Sequence, residues 1–378
     1  MNLVNSPGQD ETDTSIPYMI DADGEIRWIL DWEKSDEHRY IGIGCGLIRM
    51  QNGHYMTGDG NHHRMVEVDM MGNTIHNWDM LERGYTMHHA ISQDKQGNIL
   101  ATVSKTSAKI ANGKDVRIND FIIMMDPEKE ILQEWDLVHM LDSARYGMTD
   151  YDLTSDPFAQ SASNWAHNNG IVEWGDDYLA TARYQGIFKF NKAGGIEWII
   201  SPHGYWRDKY LKLLLNPLHA DGTPITDPEV IAGTKNCDDF EWPWGCHTAV
   251  PLPNGHILYF NNGYGRNFKL DFTDRKNIYT CGIEYEVDEV NRTVRQVWQY
   301  GKERGAAYFT PARSGVQYLE QTGNRLICPG MSNVLSNGNR GARVTEVDPE
   351  TQDVVFELEL EDAIYQRVYR MSLYPENQ

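Results

Sequence analysis

Three histidines occupy the same place in a repeated phrase. His89 stands eight residues before Gly97, His167 eight before Gly175 and His247 eight before Gly255, in HHAISQDKQGNILAT, HNNGIVEWGDDYLAT and HTAVPLPNGHILYF. A hydrophobic strand follows each glycine. Equal phase in a repeated unit means equal position in a repeated structure, and in a ring of repeats it brings three distant imidazoles to one place. Two chemistries suit them. One is a tri-histidine metal centre. The other is anion chemistry, in which one neutral imidazole attacks while other donors hold a group whose charge develops on oxygen. Arg183, one strand beyond His167, and Arg266, just after FNNGYG, add positive charge and favour the anion, and the corresponding positions carry no carboxylate.

Each residue also has a plainer reading. A lone histidine at a strand start is usually structural, and Arg183 or Arg266 could simply pair with a neighbouring carboxylate. Shared phase is what lifts the three histidines above that reading. His88 could replace His89, because strand neighbours point to opposite faces and a one-residue slip exchanges them. Cys45, Ser314 or Gly315, and Arg367 or Arg370 fall at the same phase in the other repeats. His62, His63 and His139 have no such support and read as surface residues.

The elements that position these residues repeat along the whole chain. One phrase is an apolar strand, an Asp or Asn turn, and a strand ending in a bulky aromatic, as in YMIDADGEIRW. Its six copies end at Trp28, Trp78, Trp135, Trp198, Trp298 and Phe356. The second phrase precedes Gly53, Gly97, Gly175, Gly255 and Gly323, with a truncated copy in RVYRMSLYP. Both read as β-hairpins. One hairpin of each kind makes a four-stranded sheet, so the sequence predicts an all-β, six-bladed β-propeller of four-stranded blades. Residues 1–17 form an N-terminal extension and residues 18–378 a single propeller domain. N-terminal and C-terminal strands close the ring, with 18–28 pairing with 367–374. The long gap between Trp198 and Trp298 holds an insertion at about 203–244, with a helix over 205–215 that serves either as a lid or as packing.

Composition bounds the function. The chain has 378 residues, with 34 basic against 55 acidic, for a formal charge of −21. That field disfavours nucleic acid and anionic membrane surfaces as partners. No window approaches a membrane span, and the N-terminus lacks the features of a signal peptide, so the expected location is cytoplasmic as the sequence stands, or periplasmic if a leader was removed. The five cysteines show no CxxC spacing. Cys237 and Cys246 could close a short loop beside His247, or remain reduced. The 11 Trp and 20 Tyr suit strands and a ring-stacking pocket alike. Self-association into a homo-oligomer is compatible with the sequence.

The phrases resemble those of the PAPS-independent arylsulfate sulfotransferases. The similar segments are YMIDADGEIRWIL, MHHAISQDKQGNIL, NWAHNNGIV with TARYQGIFKF, CHTAVPLPNGHILYFNNGYGR and VWQYGKERGAAYFTPARSGVQYL, in family order from about residue 18 onward. The resemblance implies a six-bladed propeller without cofactor or metal, moving a sulfuryl group from an aryl sulfate donor to a phenolic acceptor by a ping-pong route. It implies that His247 is transiently sulfurylated, that His167 and Asn169 form an HxN pair with Arg183 after it, that His89 contacts the sulfuryl group, and that Thr310 lines the pocket. The chain departs from the family at Cys246 (usually Gln), at Ala90 in a His-His-Asp motif and at Tyr184 (usually His), and the sequence as it stands is expected to lack the N-terminal β-sandwich of periplasmic members. The alternatives are a metal-dependent, lyase-like propeller enzyme that uses the histidines as ligands, and a non-catalytic anion-binding propeller.

Overall fold

Asp and Asn residues make hairpins in both phrases. Asp69 Oδ1 accepts hydrogen bonds from the backbone N–H of Met71 and Asn73 at 2.8 and 2.9 Å, and Asp21, Asp94 and Asn191 do the same two and four residues ahead. A carboxylate or amide that mimics a backbone turn fixes the loop and therefore the register. The computed structural model describes residues 2–6, 16–31, 38, 46–59, 63–111, 116–145, 165–270, 273–331, 334–361 and 368–370.

These hairpins build six sheets, five of four strands and one of five, arranged as the blades of a β-propeller. Blades 1, 2, 3, 4 and 5 begin on their inner strands Leu47–Arg49, Thr86–Gln93, Asn168–Trp174, His247–Pro251 and Gly315–Tyr318. Blade 6 runs from inner strand Val368–Arg370 through Asn2–Ser6 and Ile16–Ile20 to Ile26–Ile29. The ring is thus closed by pairing an N-terminal with a C-terminal strand, but the pairing expected for 18–28 is indirect. Asn2–Ser6 lies between, with Val4 opposite Val368 on one side and Tyr18 on the other. Residues 371–374 lie outside the described residues.

The repeated aromatics are spokes between blades. Trp28 Nε1 donates to Met70 O of blade 1 at 2.8 Å, Trp135 to Lys192 O of blade 3 at 3.0 Å, and Trp198 to Glu289 of blade 4 at 2.8 Å. Lys129 of blade 2 lies 4.7 Å over the Trp78 ring. Trp28, Trp135 and Trp198 therefore give their apolar bodies to the interface and their N–H groups to the neighbour's turn. The core follows the same plan, since Leu100 and Ile122 of blade 2 share a buried cluster with Ala180, Phe188 and Phe190 of blade 3.

The insertion differs from the helix expected over 205–215. Only Asp208–Leu211 is α-helical. Leu213 O and Leu215 N instead pair with Ile199, at 2.8 and 3.0 Å, on the open edge of blade 3. Asn216–Leu218 then adds a fifth strand, parallel to Thr293–Arg295, to blade 4. Unpaired sheet edges and the aversion of a pre-proline residue to helix, here Asn216 before Pro217, explain the switch. Leu214 and Leu215 are buried, so this segment packs on the ring. No helix among the described residues is long and apolar enough to cross a membrane.

Candidate active site

The inner strands of blades 2, 3 and 4 all break register where the histidines sit. Pairing jumps from Met87–Val103 to Ile91–Ala101, from Asn168–Ala182 to Gly170–Thr181, and from His247–Phe260 to Ala249–Tyr259. Left-handed backbone accompanies the breaks, with φ of 55° at His89, 54° at His167 and 45° at Thr248. Such bulges re-aim side chains, and left-handed non-glycine residues cost on the order of 1–3 kcal/mol each, so the surrounding packing must hold them. Gly170 permits one close approach: a Cβ there would meet Thr181 Oγ1 at 2.3 Å and Thr248 Cα at 3.6 Å.

His247 is 4% exposed and its tautomer is fixed. Its Nδ1 faces two acceptors, Asn262 Oδ1 at 2.6 Å and Gly245 O at 3.1 Å. The amide of Asn262 is oriented in turn, because its Nδ2 donates to the carbonyls of Thr310 at 2.9 Å and Arg313 at 3.2 Å. Nδ1 therefore carries the proton, and Nε2 of the neutral ring keeps its lone pair. Burial first, and then the charge of Arg183, push the imidazole down to about 3. This is a neutral nucleophile or base at physiological pH.

The other histidines form a chain. His167 Nε2 lies 2.9 Å from His89 Nε2, and His89 Nδ1 lies 3.1 Å from His88 Nδ1. His88 Nε2 lies 3.0 Å from Ser104 Oγ, which donates to Asp120 Oδ1 at 2.9 Å. His88 and His89 are thus not alternatives, as strand alternation suggested. The bulge turns both rings into one line, and Thr102 Oγ1 fills the gap it opens by accepting from Ala90 N at 3.0 Å and donating to His88 O. His89 and His167 are held well below the usual imidazole range, first by burial and then by neighbouring histidines and Arg183.

Cations border the histidines. Arg183 is 2% exposed, donates to Pro311 O at 2.8 Å and lies 4.6 Å over the Tyr264 ring. Arg313, which the sequence reading did not single out, depresses both His247 and His89 by its charge. Its Nη1 is buried without a hydrogen bond, and burial lowers the guanidinium to about 10. Its own φ of 63° and that of Ser314, 91°, extend the left-handed backbone around the pocket. The only sequence signal for Arg313 is its place in TPARSG, three residues after Thr310.

Other candidates have different roles. Asn169 Nδ2 donates to Cys246 O at 2.8 Å and its Oδ1 accepts from Thr181 Oγ1 at 2.7 Å, which ties blade 3 to the residue before His247. Thr310 is fully buried; its hydroxyl donates to Ala312 O at 3.1 Å, and its carbonyl holds Asn262. Arg266 is committed elsewhere, in a buried ion pair with Glu241 and 3.9 Å over the Tyr279 ring, so it is a core residue and not a substrate ligand. Arg370 pairs with Glu346. Cys45, His62 and Arg367 lie outside the described residues. Cys237 and Cys246 are separate thiols, the latter pushed up to about 12 by burial.

A metal centre fits this geometry poorly. Among the described residues, the trio of metal-ligating side chains converging within 4.8 Å is His219, Cys237 and Asp239 on the insertion, not the three in-phase histidines. His247 spends Nδ1 on an amide oxygen, His89 and His167 spend Nε2 on each other, and two guanidiniums stand close by. The set suits an anion.

The family model described as Arylsulfotransferase (ASST) matches residues 1–370. Two proteins named arylsulfate sulfotransferase AssT, from Escherichia coli O6:H1 and Lelliottia amnigena, are each 28% identical over 94% of this chain. The chain spans 64% of the length of these relatives. A crystal structure of a Bacteroides caccae protein of unknown function shares the fold, with a TM-score of 0.54, 12% identity and 97% of both chains covered.

Proposed function

Because this chain belongs to the arylsulfotransferase family, we propose that it moves a sulfuryl group from an aryl sulfate to a phenol in two displacements through His247. The observation that carries this reading is the fixed tautomer of His247, whose Nε2 lone pair stands among cations while Nδ1 stays hydrogen-bonded to Asn262. In the first displacement Nε2 attacks sulfur in line and the S–O(aryl) bond breaks, its electron pair leaving with the aryl oxygen. Arg183 and Arg313 hold the sulfuryl oxygens, and the arrangement of fixed charge lowers the barrier without reorganisation. Asn169 and Thr310 act from behind, keeping His247 and Asn262 in place. In the second displacement a phenol oxygen attacks the same sulfur and His247 leaves.

Such a two-step route is tested by trapping its intermediate. Purified protein mixed with p-nitrophenyl sulfate, without acceptor and without added metal, is expected to gain ~80 Da on the peptide containing His247, with a matching burst of p-nitrophenol. Turnover without any covalent label would overturn the route through His247. Binding of aryl sulfate without turnover would leave only an anion-binding propeller.

A further inference from the structure

The proposed transfer gives His88, Ser104 and Asp120 neither a sulfuryl oxygen nor the nucleophile to hold, yet they continue the histidine pair across blade 2. Asp120, 3% exposed, is also the hydrogen-bond acceptor of Asn168 N at 3.0 Å, so the carboxylate is locked between blades 2 and 3. Its presence orients every proton in the line. Ser104 donates to Asp120, so Ser104 accepts from His88 Nε2–H. A neutral His88 then has its lone pair on Nδ1 and accepts from His89 Nδ1–H. A neutral His89 in turn presents a lone pair on Nε2, accepting from His167 Nε2–H. One carboxylate thus dictates the tautomers of three imidazoles.

We propose that these five residues form a proton relay, and that its His88–Asp120 end stores the single proton each transfer cycle spends and recovers. The inference rests on the sulfuryl-transfer reading and adds the proton to it. In the loaded state His88 is an imidazolium facing Asp120, whose Oδ1 lies 3.6 Å from Nε2. Its Nδ1–H donates to His89, whose Nε2–H donates to His167 Nε2, and His167 then carries its own hydrogen on Nδ1. When the aryl oxygen departs it takes the His167 Nδ1 hydrogen, the His89 Nε2 proton passes to His167 Nε2 and the His88 Nδ1 proton to His89 Nδ1, leaving all three rings neutral. The incoming phenol reverses the sequence: its proton enters His167 Nδ1, the Nε2 proton of His167 returns to His89, the Nδ1 proton of His89 returns to His88, and the phenol oxygen bonds to sulfur. One proton leaves and one returns, with no other donor required. The groups facing the pocket end are His247, Arg183 and Arg313, and they repel a resting proton; burial first, and then the charges of neighbouring histidines and Arg183, hold His89 and His167 well below the usual range. Asp120 is the carboxylate at the opposite end.

A relay is needed only when the leaving group is basic, which separates it from a structural role. In Asp120→Asn, turnover of unsubstituted phenyl sulfate should fall about 10²–10³-fold, while p-nitrophenyl sulfate, whose phenolate leaves unprotonated, should change by less than about threefold. Ser104→Ala should behave alike and Ser104→Thr, which restores the hydroxyl, should recover most of the loss. The covalent label on His247 from p-nitrophenyl sulfate should persist in all three variants. Equal losses on both esters, or no loss on either, would overturn the relay while leaving the transfer reading intact. Absence of the label in the unaltered protein would overturn both.

Discussion

His247 and His89 occupy the same phase in their blades, yet different groups stand behind them. Behind His247 is a neutral amide, Asn262, itself held by two backbone carbonyls. Behind His89 a second imidazole and a hydroxyl lead to a carboxylate. An amide fixes a tautomer without favouring the charged ring, so the free nitrogen stays a lone-pair donor. A carboxylate at the end of a line favours an added proton. Equivalent positions in a repeat are therefore made unequal by what the second and third strands supply.

The comparison breaks most visibly by deletion. His247→Ala should lower turnover on every ester by about 10⁴-fold or more, because the proposed route has its Nε2 attack sulfur. His89→Ala should cost about 10²-fold with phenyl sulfate and much less with p-nitrophenyl sulfate, measured as kcat/KM against leaving-group basicity. Similar losses for the two variants across all esters would erase the distinction.

A subtler change gives His247 the backing that the relay has. Asn262→Asp places a carboxylate on Nδ1, which favours the imidazolium and raises its pKa from about 3. The proposed attack requires the neutral ring, so activity should now be lost as pH falls through the raised value. We expect a decrease of about tenfold at roughly pH 6 that recovers toward roughly pH 8, where the unaltered protein is flat. A pH–rate profile identical to that of the unaltered protein would show that the amide's neutrality is unimportant.

The smallest effect is on stability. The unfolded imidazole titrates near 6.5, whereas burial keeps His247 neutral down to about 3. The unfolded chain therefore binds the proton first as pH falls, and stability that is full above about pH 6.5 is lost progressively toward about pH 3. His247→Gln removes this term, so its Tm should fall less between roughly pH 7 and pH 5, by a few degrees. Parallel Tm curves would show that the buried neutral ring contributes nothing to acid sensitivity.

The sequence made some of this legible and left the rest silent for definite reasons. Trp28, Trp135 and Trp198 announced the blades because each must span to a neighbour, and a spoke recurs with the repeat. The phase of His89, His167 and His247 survived into the structure for the same reason. Asp120 did not stand out, since it lies on the third strand of blade 2 and is linked to His88 through Ser104, a contact across the sheet that no spacing along one strand encodes. His88 and His89 appeared as rivals because alternation assumes regular register, which the bulge opposite Thr102 suspends. Arg266 looked like a pocket cation because Glu241, its partner, sits 25 residues away in the insertion.

The blade that closes the ring has a consequence for how the molecule comes into being. Asn2–Ser6 and Val368–Arg370 are joined edge to edge, although more chain separates them than any other pair of neighbouring strands. While a ribosome works through the five blades between them, the early strand must wait without its partner, its amides and carbonyls open to any passing edge. The strand Val368–Arg370 acts as a clasp. Synthesis that stalls before it would yield an open arc, suited more to clumping with its siblings than to curling shut.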